Sequence, residues 1–314
     1  MEYSHKPVLL REVVSLLVVN NEGVYVDGTS GTGGHGEAIA SVLKGAGRLI
    51  SLDRDPEAVS IARKRLSRFG SRATVMKANY ALLESVLVEM GLMGVDGVLL
   101  DLGMSSLQIE GSGRGFSFLR KEPLDMRMDP DEKTTAEALV NGLSQKDLER
   151  ILRVYGEEKR AGQIARAIVE ARKKAPVESS MQLADIVCSV MPLSRRRKGV
   201  HPATKTFQAF RIAVNNELGL LEKFLSKAPD LINPGGRLAV ISYHSLEDRM
   251  IKHAMAAWEN PCSCPRSLPS CVCGKRPVFF RVHKRGIVPT IEEIKDNKRA
   301  RSAVLRVTER RIHD

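Results

Sequence analysis

Aromatic residues are scarce in this chain: one Trp, five Tyr and eight Phe in 314 residues, 4% of the total. Proteins that hold single-stranded nucleic acid without sequence preference rely on many stacking rings, so any base recognition here must rest on a few residues. No apolar run reaches the roughly 20 residues of a membrane span. The opening MEYSHKPVLLREV carries charges where a secretory signal has an apolar core. Both absences lead to the expectation of a soluble, cytoplasmic protein with no membrane partner. Cysteine is also rare, five in all, and disulfides are not expected in that compartment. Internal repeats and low-complexity tracts are lacking.

What is present suffices for a full core. A hydrophobic content of 43% over 314 residues supports one large domain plus an insertion. Forty-nine Lys and Arg against 37 Asp and Glu leave a net charge of +12. That surplus concentrates a polyanion near the surface without specifying which one, and nucleic acid is the leading candidate.

Residues 24–53, VYVDGTSGTGGHGEAIASVLKGAGRLISLD, read as strand, glycine-rich loop, helix and second strand. Gly28, Gly31, Gly33, Gly34 and Gly36 suit a backbone that approaches a ligand closely. Asp53 follows Gly31 by 22 residues, near the spacing at which a carboxylate accepts hydrogen bonds from a ribose diol. An adenosine-containing cofactor is expected. Gly31, Gly33 and Gly36 also fit the G-x-G-x-x-G pattern of dinucleotide enzymes, a weak match by itself. Asp27, at the end of the first strand, would repel a pyrophosphate but attract a cationic amino acid group. His35 and Glu37 stand where a pyrophosphate favours bare backbone N–H groups. These residues favour S-adenosylmethionine over NAD.

Strand and helix patterns alternate over the first hundred residues, which predicts a parallel sheet covered by helices. Right-handed crossovers place Asp27, Asp53, Asn79 and Asp101 along one sheet edge, where ligands of open α/β sheets bind. The pattern dissolves between Leu102 and Pro130, and long loops without regular structure are usually functional. From Thr134 to about Leu193 every segment has helical period, with Ser144 as an N-cap and Gly142 and Gly156 as breaks. A long amphipathic helix is predicted from ATKTFQAFRIAVNN to the NPGG turn, followed by the strand RLAVISYH. Ser245 with Asp248 then forms a variant capping box for the next helix. VFFRVH and SAVLRV pair as an antiparallel hairpin at the sheet edge and bring the strands to seven. The expected domains are 1–105, the first part of the sheet domain; 106–205, a loop and helical insertion; and 206–314, the second part, with a Cys-rich hairpin at 261–277.

The blocks VDGTSGTGGHG, LDRDPEA, LLDLGMSS, RGFSF, PLDMRMDP, HPATKTFQAFRIAVNNEL, PGGRLAVISYHSLEDR and RARSAVLRV resemble the RsmH (MraW) family, in order and over nearly the whole chain. The resemblance implies a class I, Rossmann-like α/β methyltransferase with a mostly parallel seven-stranded sheet and an inserted all-helical domain. It implies S-adenosylmethionine-dependent methylation of the N4 amino group of a decoding-centre cytidine in 16S rRNA, with the RNA expected within the small ribosomal subunit and naked rRNA as the open alternative. Carried over position by position, the cofactor contacts fall on Gly33, Gly34, His35, Asp53, Tyr80, Asp101 and Gln108. Tyr80 suits packing against the adenine ring, although a core-filling tyrosine would read the same way. An Asp ending a strand is also a common helix cap.

For transfer to cytosine N4, Asp101 and neighbouring main-chain carbonyls are the first candidates to bind the amine. The tetrapeptide (D/N/S)PP(Y/F) of DNA amino-methyltransferases is missing here. Tyr243 and His244, ending the strand RLAVISYH, are further catalytic candidates, the ring for stacking on a flipped base and the imidazole for taking a proton. Capping of the following helix is the competing role for His244. Arg195, Arg196, Arg197, Lys198, Arg114, Arg120, Arg127, Lys298, Arg299 and Arg301 are candidates for phosphate contact. Cys262, Cys264, Cys271 and Cys273 form two C-x-C pairs six residues apart, a spacing compatible with structural zinc and equally with free thiols. Alternatives are an N4 or N6 amino-methyltransferase of another RNA or of DNA, an NAD-dependent oxidoreductase, and a non-catalytic RNA-binding protein. Oligomeric state is left open.

Overall fold

The computed structural model describes residues 6–191, 201–265, 270 and 272–312. In chain order the first elements are α1 (Leu10–Leu17), β1 (Val24–Asp27), α2 (Gly34–Val42), β2 (Arg48–Asp53), α3 (Pro56–Leu66), β3 (Ala73–Lys77), α4 (Leu83–Glu89) and β4 (Val95–Asp101). Helices α5 (Ser106–Glu110), α6 (Ala136–Gly142), α7 (Gln145–Val154), α8 (Ala161–Arg172), α9 (Ser180–Ser189) and α10 (Thr204–Asn215) follow. The chain closes with α11 (Glu217–Leu231), β5 (Ile232–Ser242), α12 (Ser245–Glu259), β6 (Phe279–Arg281), α13 (Ile291–Asp296) and β7 (Val304–Arg310).

Contacts divide the chain into two compact units, one of residues 1–103 and 219–314, the other Met104–Leu218. The first is a Rossmann-like α/β unit with seven strands in the order β3-β2-β1-β4-β5-β7-β6. Pairing from β3 through β5 is parallel, and β7 runs antiparallel to both β5 and β6. The expected late pair therefore forms, but β7 lies inside and the three-residue β6 takes the edge. Strands such as VLLD have apolar side chains on both faces because both faces are covered. Val26, Ile50, Val98, Leu100 and Val240 point into one layer with Leu83, Leu221, Phe224 and Ile251. Alternate residues Tyr25, Leu49, Leu99, Ala239 and Ile241 point into the other with Val13, Leu17 and Ile39. Helix α3 follows from local chemistry: the Asp55 side chain accepts from Glu57 N, Pro56 occupies the first turn, and Arg63, Lys64 and Arg65 end it. The NPGG segment is a bulge, since the register jumps from Val95↔Ile232 to Gly97↔Arg237.

The second unit is built on a core of α6 to α10, including Val140, Leu148, Ile164, Leu183, Phe207 and Phe210. Helix α10 belongs to it because its apolar face enters this core, so the division falls beyond residue 205. Ser144 caps α7, accepting from Asp147 N. The stretch after Leu102 is more ordered than its sequence pattern indicates. Arg114 donates to Arg127 O and Met128 O, and Arg127 forks onto Asp125 at 2.7 Å through two nitrogens.

The single long helix predicted after residue 203 is two. Asn216 adopts a left-handed conformation (φ 47°) between α10 and α11. The neighbouring Asn215 accepts from Met128 N and donates to Met126 O, while Arg211 forms a buried, two-pronged pair with Glu217 at 2.7 and 2.9 Å. Breaking a buried pair leaves a charge without compensation. Glu217→Ala is therefore expected to cost about 3–5 kcal/mol of stability, read from urea unfolding. A loss within the scatter of surface substitutions would show the pair to be dispensable.

Candidate active site

The strand order reverses between β1 and β4, the position at which open α/β sheets bind ligands. Asp27 ends β1 and Asp101 ends β4. The loop between β1 and α2 is sewn to the sheet by backbone bonds, Gly28 N to Leu99 O and Ser30 N to Leu52 O. Thr29 Oγ1 accepts from Asp101 N at 2.6 Å. Gly31 (φ 51°) and Gly33 (φ 82°) have left-handed backbone, which a Cβ would strain. Gly34 and Gly36 are required by the protein's own packing. A Cβ on Gly34 would meet Pro7 Cγ at 2.5 Å, and one on Gly36 would meet Ser51 Oγ at 3.0 Å and Asp27 Oδ2 at 3.3 Å.

Asp53 is the loop's anchor. One carboxylate oxygen accepts Gly31 N at 2.7 Å and the other Asp55 N at 2.9 Å. Burial raises its pKa, and the two amides oppose that rise. Tyr80 follows β3; its ring meets Phe224 edge-on at 5.8 Å, and its Cβ lies beside Gly28. Gln108 lies in the second unit, at the third position of α5, where it closes a capping box with Ser105.

Several buried polar atoms converge on the glycine loop without hydrogen-bond partners among the described residues: Asp27 Oδ2, Ser30 Oγ, Ser51 Oγ and both ring nitrogens of His35. Asp27 is 1% exposed and His35 6%. Burial pushes the Asp27 carboxyl up to about 7, His35 and the Thr29 amide pulling the other way. Buried polar groups normally find partners, so this set fits a polar, partly cationic ligand. His35 Nε2 lies 3.5 Å from Asp101 Oδ2. The opposite oxygen, Oδ1, accepts from Tyr243 Oη at 2.8 Å. Burial, followed by the Asp101 charge, raises the Tyr243 pKa well above its ordinary value, which keeps the hydroxyl a donor.

Tyr243 is thus engaged on Asp101, with its ring edge beside Gly103. Its backbone N–H donates to Glu247 Oε2 at 3.0 Å. His244, not Ser245, is the N-cap of α12: its Nδ1 accepts from Glu247 N at 3.4 Å. The capping box read from Ser245 and Asp248 does not form, because Asp248 pairs with Arg306 at 2.7 and 3.0 Å. Sequence reasoning missed Thr29, Ser30, Ser51 and Glu247, small or capping groups with no spacing signal.

Lys298 and Arg301 are exposed, whereas Arg114 and Arg127 are committed to internal hydrogen bonds. Arg195 to Lys198 and Cys271 lie outside the described residues. No helix among the described residues is long and apolar enough to cross a membrane.

A model of the MraW methylase family matches residues 2–311. The ribosomal RNA small subunit methyltransferase H of Heliobacterium modesticaldum is 47% identical over 311 residues, covering 99% of each chain. Its namesake from Carboxydothermus hydrogenoformans is 48% identical over 311 residues with 99% coverage of each. Among solved structures, a putative rRNA-methylase from Clostridium thermocellum aligns over 96% of this chain and 94% of its own at 12% identity, with a TM-score of 0.44, a likeness too slight to argue from. On the family match and these identities over the full length, the chain belongs to the MraW methylase family.

Proposed function

We propose that this chain transfers a methyl group from S-adenosylmethionine to the N4 amino group of a decoding-centre cytidine in 16S rRNA, acting in the cytoplasm on the small ribosomal subunit or its RNA. The observation that carries the reading is the convergence of Asp27, His35, Asp101 and Tyr243 where β1 and β4 part. The full-length relatives named for small-subunit rRNA methylation support the acceptor.

Bound S-adenosylmethionine supplies an electrophilic methyl on its sulfonium, so transfer needs no metal, and zinc on the cysteine pairs would be structural. Gly33, Gly34 and His35 hold the methionine end, with Asp27 facing its ammonium; Asp53 receives the ribose hydroxyls; Tyr80 packs on the base. Gln108 is a candidate cofactor contact by the family resemblance alone. Cytosine N4 is a weak nucleophile because its lone pair is delocalised into the ring. The chain's task is to align that amine and accept its N–H, which puts catalysis into positioning and electrostatics. Asp101 accepts a hydrogen bond from the amine N–H and receives the proton that N4 sheds as it gains the methyl group. Tyr243 fixes the carboxylate's direction and acts as a positioning residue. His244, engaged as the cap of α12, sets the turn that presents Tyr243. Exposed Lys298 and Arg301 are candidates for phosphate contact.

Asp27 makes donor binding pH-dependent. Its folded pKa is raised to about 7, so the ligand-free chain holds a proton between about pH 4 and 7 that the unfolded chain releases. Ligand-free stability therefore falls as pH rises through that window. Affinity for the cationic donor instead rises with pH and levels above about 7, where the carboxylate is already charged. Calorimetric titration in buffers of different ionisation enthalpy should detect proton release below pH 7, lost in Asp27→Asn. Proton release undiminished in that variant would assign it to another group. Equilibrium dialysis tests the donor: saturable binding of S-adenosylmethionine without binding of NAD is expected, and the reverse preference overturns it.

A further inference from the structure

None of the residues assigned a part in methyl transfer lies between Glu259 and Phe279. We infer that Cys262, Cys264 and Cys273 supply three thiolate ligands of a structural, four-coordinate zinc site on the connection between α12 and β6. Their Sγ atoms all lie within 4.8 Å of one another. In a tetrahedral zinc site with bonds of about 2.3 Å, ligand sulfurs stand roughly 3.8 Å apart, so a small closing movement brings all three onto one ion. Three Sγ atoms gathered within 4.8 Å of one another can all bind one metal ion, whereas a single disulfide would join only two of them, at about 2 Å. Val272 N donates to Cys264 Sγ at 3.4 Å. Amide donation to a ligand sulfur is a typical outer-shell contact that stabilises the thiolate and orients it.

The fold supplies an independent reason for a clip. Described residues between Glu259 and Phe279 contain no helix or strand, and long connections in compact domains are usually functional or held by extra fastenings. The base of the connection is fastened to the sheet unit: Val278 N donates to Trp258 O at 2.9 Å, and the Trp258 and Phe279 rings pack at 5.1 Å. A metal that closes the loop above this base offsets its ordering entropy. Cys271 lies outside the described residues, and the site is assigned without it. Cys188 lies on α9 in the other unit, outside the cluster.

Metal analysis of the full chain, purified without chelator, should find about one zinc per chain. Cys264→Ser combined with Cys273→Ser should lose it. Cobalt(II) added to the demetallated wild-type chain should give the intense near-ultraviolet bands of thiolate-to-metal charge transfer, a readout that does not depend on a variant folding. Wild-type protein with no more zinc than the double variant would overturn the site. So would non-reducing peptide mass mapping that finds two of these cysteines joined. The assignment is independent of the proposed methyl transfer: protein that holds zinc but transfers no methyl would sink the enzymatic reading and leave this site standing.

Discussion

Replacing Asp101 with alanine is expected to lower methyl transfer by about 10²–10³-fold, the range for losing a principal electrostatic contact in a preorganised site. Asp101 ends β4 at the strand reversal and is 24% exposed; its Oδ1 is directed by the Tyr243 hydroxyl at 2.8 Å, while Oδ2 lies 3.5 Å from His35 Nε2. Among the described residues, no other carboxylate that ends a strand at this edge combines exposure with a side-chain brace. Asp27 is buried, and Asp53 is occupied by the amides of Gly31 and Asp55. Asp101→Asn keeps the shape and loses the charge, and should fall nearly as far. Tyr243→Phe removes the brace alone and should cost at least roughly tenfold, from about 1.5 kcal/mol upward for one hydrogen bond to a charged group. A positioning role predicts that the Tyr243→Phe loss appears in kcat with KM for the RNA little changed. Single-turnover rates with saturating donor and unchanged thermal unfolding would establish the effect; near-normal turnover in Asp101→Ala would remove that residue from the mechanism.

The second large effect is expected at the cofactor end. Asp53→Ala should weaken S-adenosylmethionine binding by about 100-fold, or roughly 3 kcal/mol. Two backbone donors, Gly31 N and Asp55 N, lose their acceptor together, and each buried donor left without a partner costs about 1–3 kcal/mol. The first holds the glycine loop in its left-handed course; the second opens the turn into α3. Asp53→Asn keeps a carbonyl oxygen for one of them and should lie between. Calorimetric titration of the donor measures this directly, with circular dichroism to check the fold. Wild-type affinity in Asp53→Ala would mean that neither the loop nor the ribose depends on the carboxylate.

Much of the sheet was legible because its strands are near-continuous apolar runs that each end in a polar residue, as in VYVD, RLISLD and VDGVLLD. Those terminal residues mark the ligand edge before any coordinates exist. The glycines were legible by position but less by cause: Gly34 and Gly36 are small for Pro7, Ser51 and Asp27, contacts between elements that spacing does not reveal. The break at Asn216 was hidden because helical period continues across it. What interrupts the helix is Asn215 reaching the backbone of Met126 and Met128, far earlier in the chain. Ser245 looked the better cap for α12 by composition, yet His244 takes the place because Asp248 is drawn to Arg306. Charge counts failed in the same way for Arg127, whose guanidinium is spent on Asp125 and on the carbonyls of Pro130 and Glu132.

The site's chemistry was only partly legible. Asp27, His35 and Asp101 announce themselves by type and place, whereas Thr29, Ser30 and Ser51 are single hydroxyls whose role exists only in the folded loop. The bracing of Asp101 by Tyr243 joins residues 142 apart, through strands β4 and β5.

The most direct test is transfer of isotope-labelled methyl from S-adenosylmethionine to small ribosomal subunits, free 16S rRNA and DNA, followed by nucleoside mass spectrometry. Label on N4 of cytidine in 16S rRNA, supplied as subunit or as free RNA and absent from DNA, is the expected result. Label on adenine, on C5 of cytosine, or on DNA alone would contradict it.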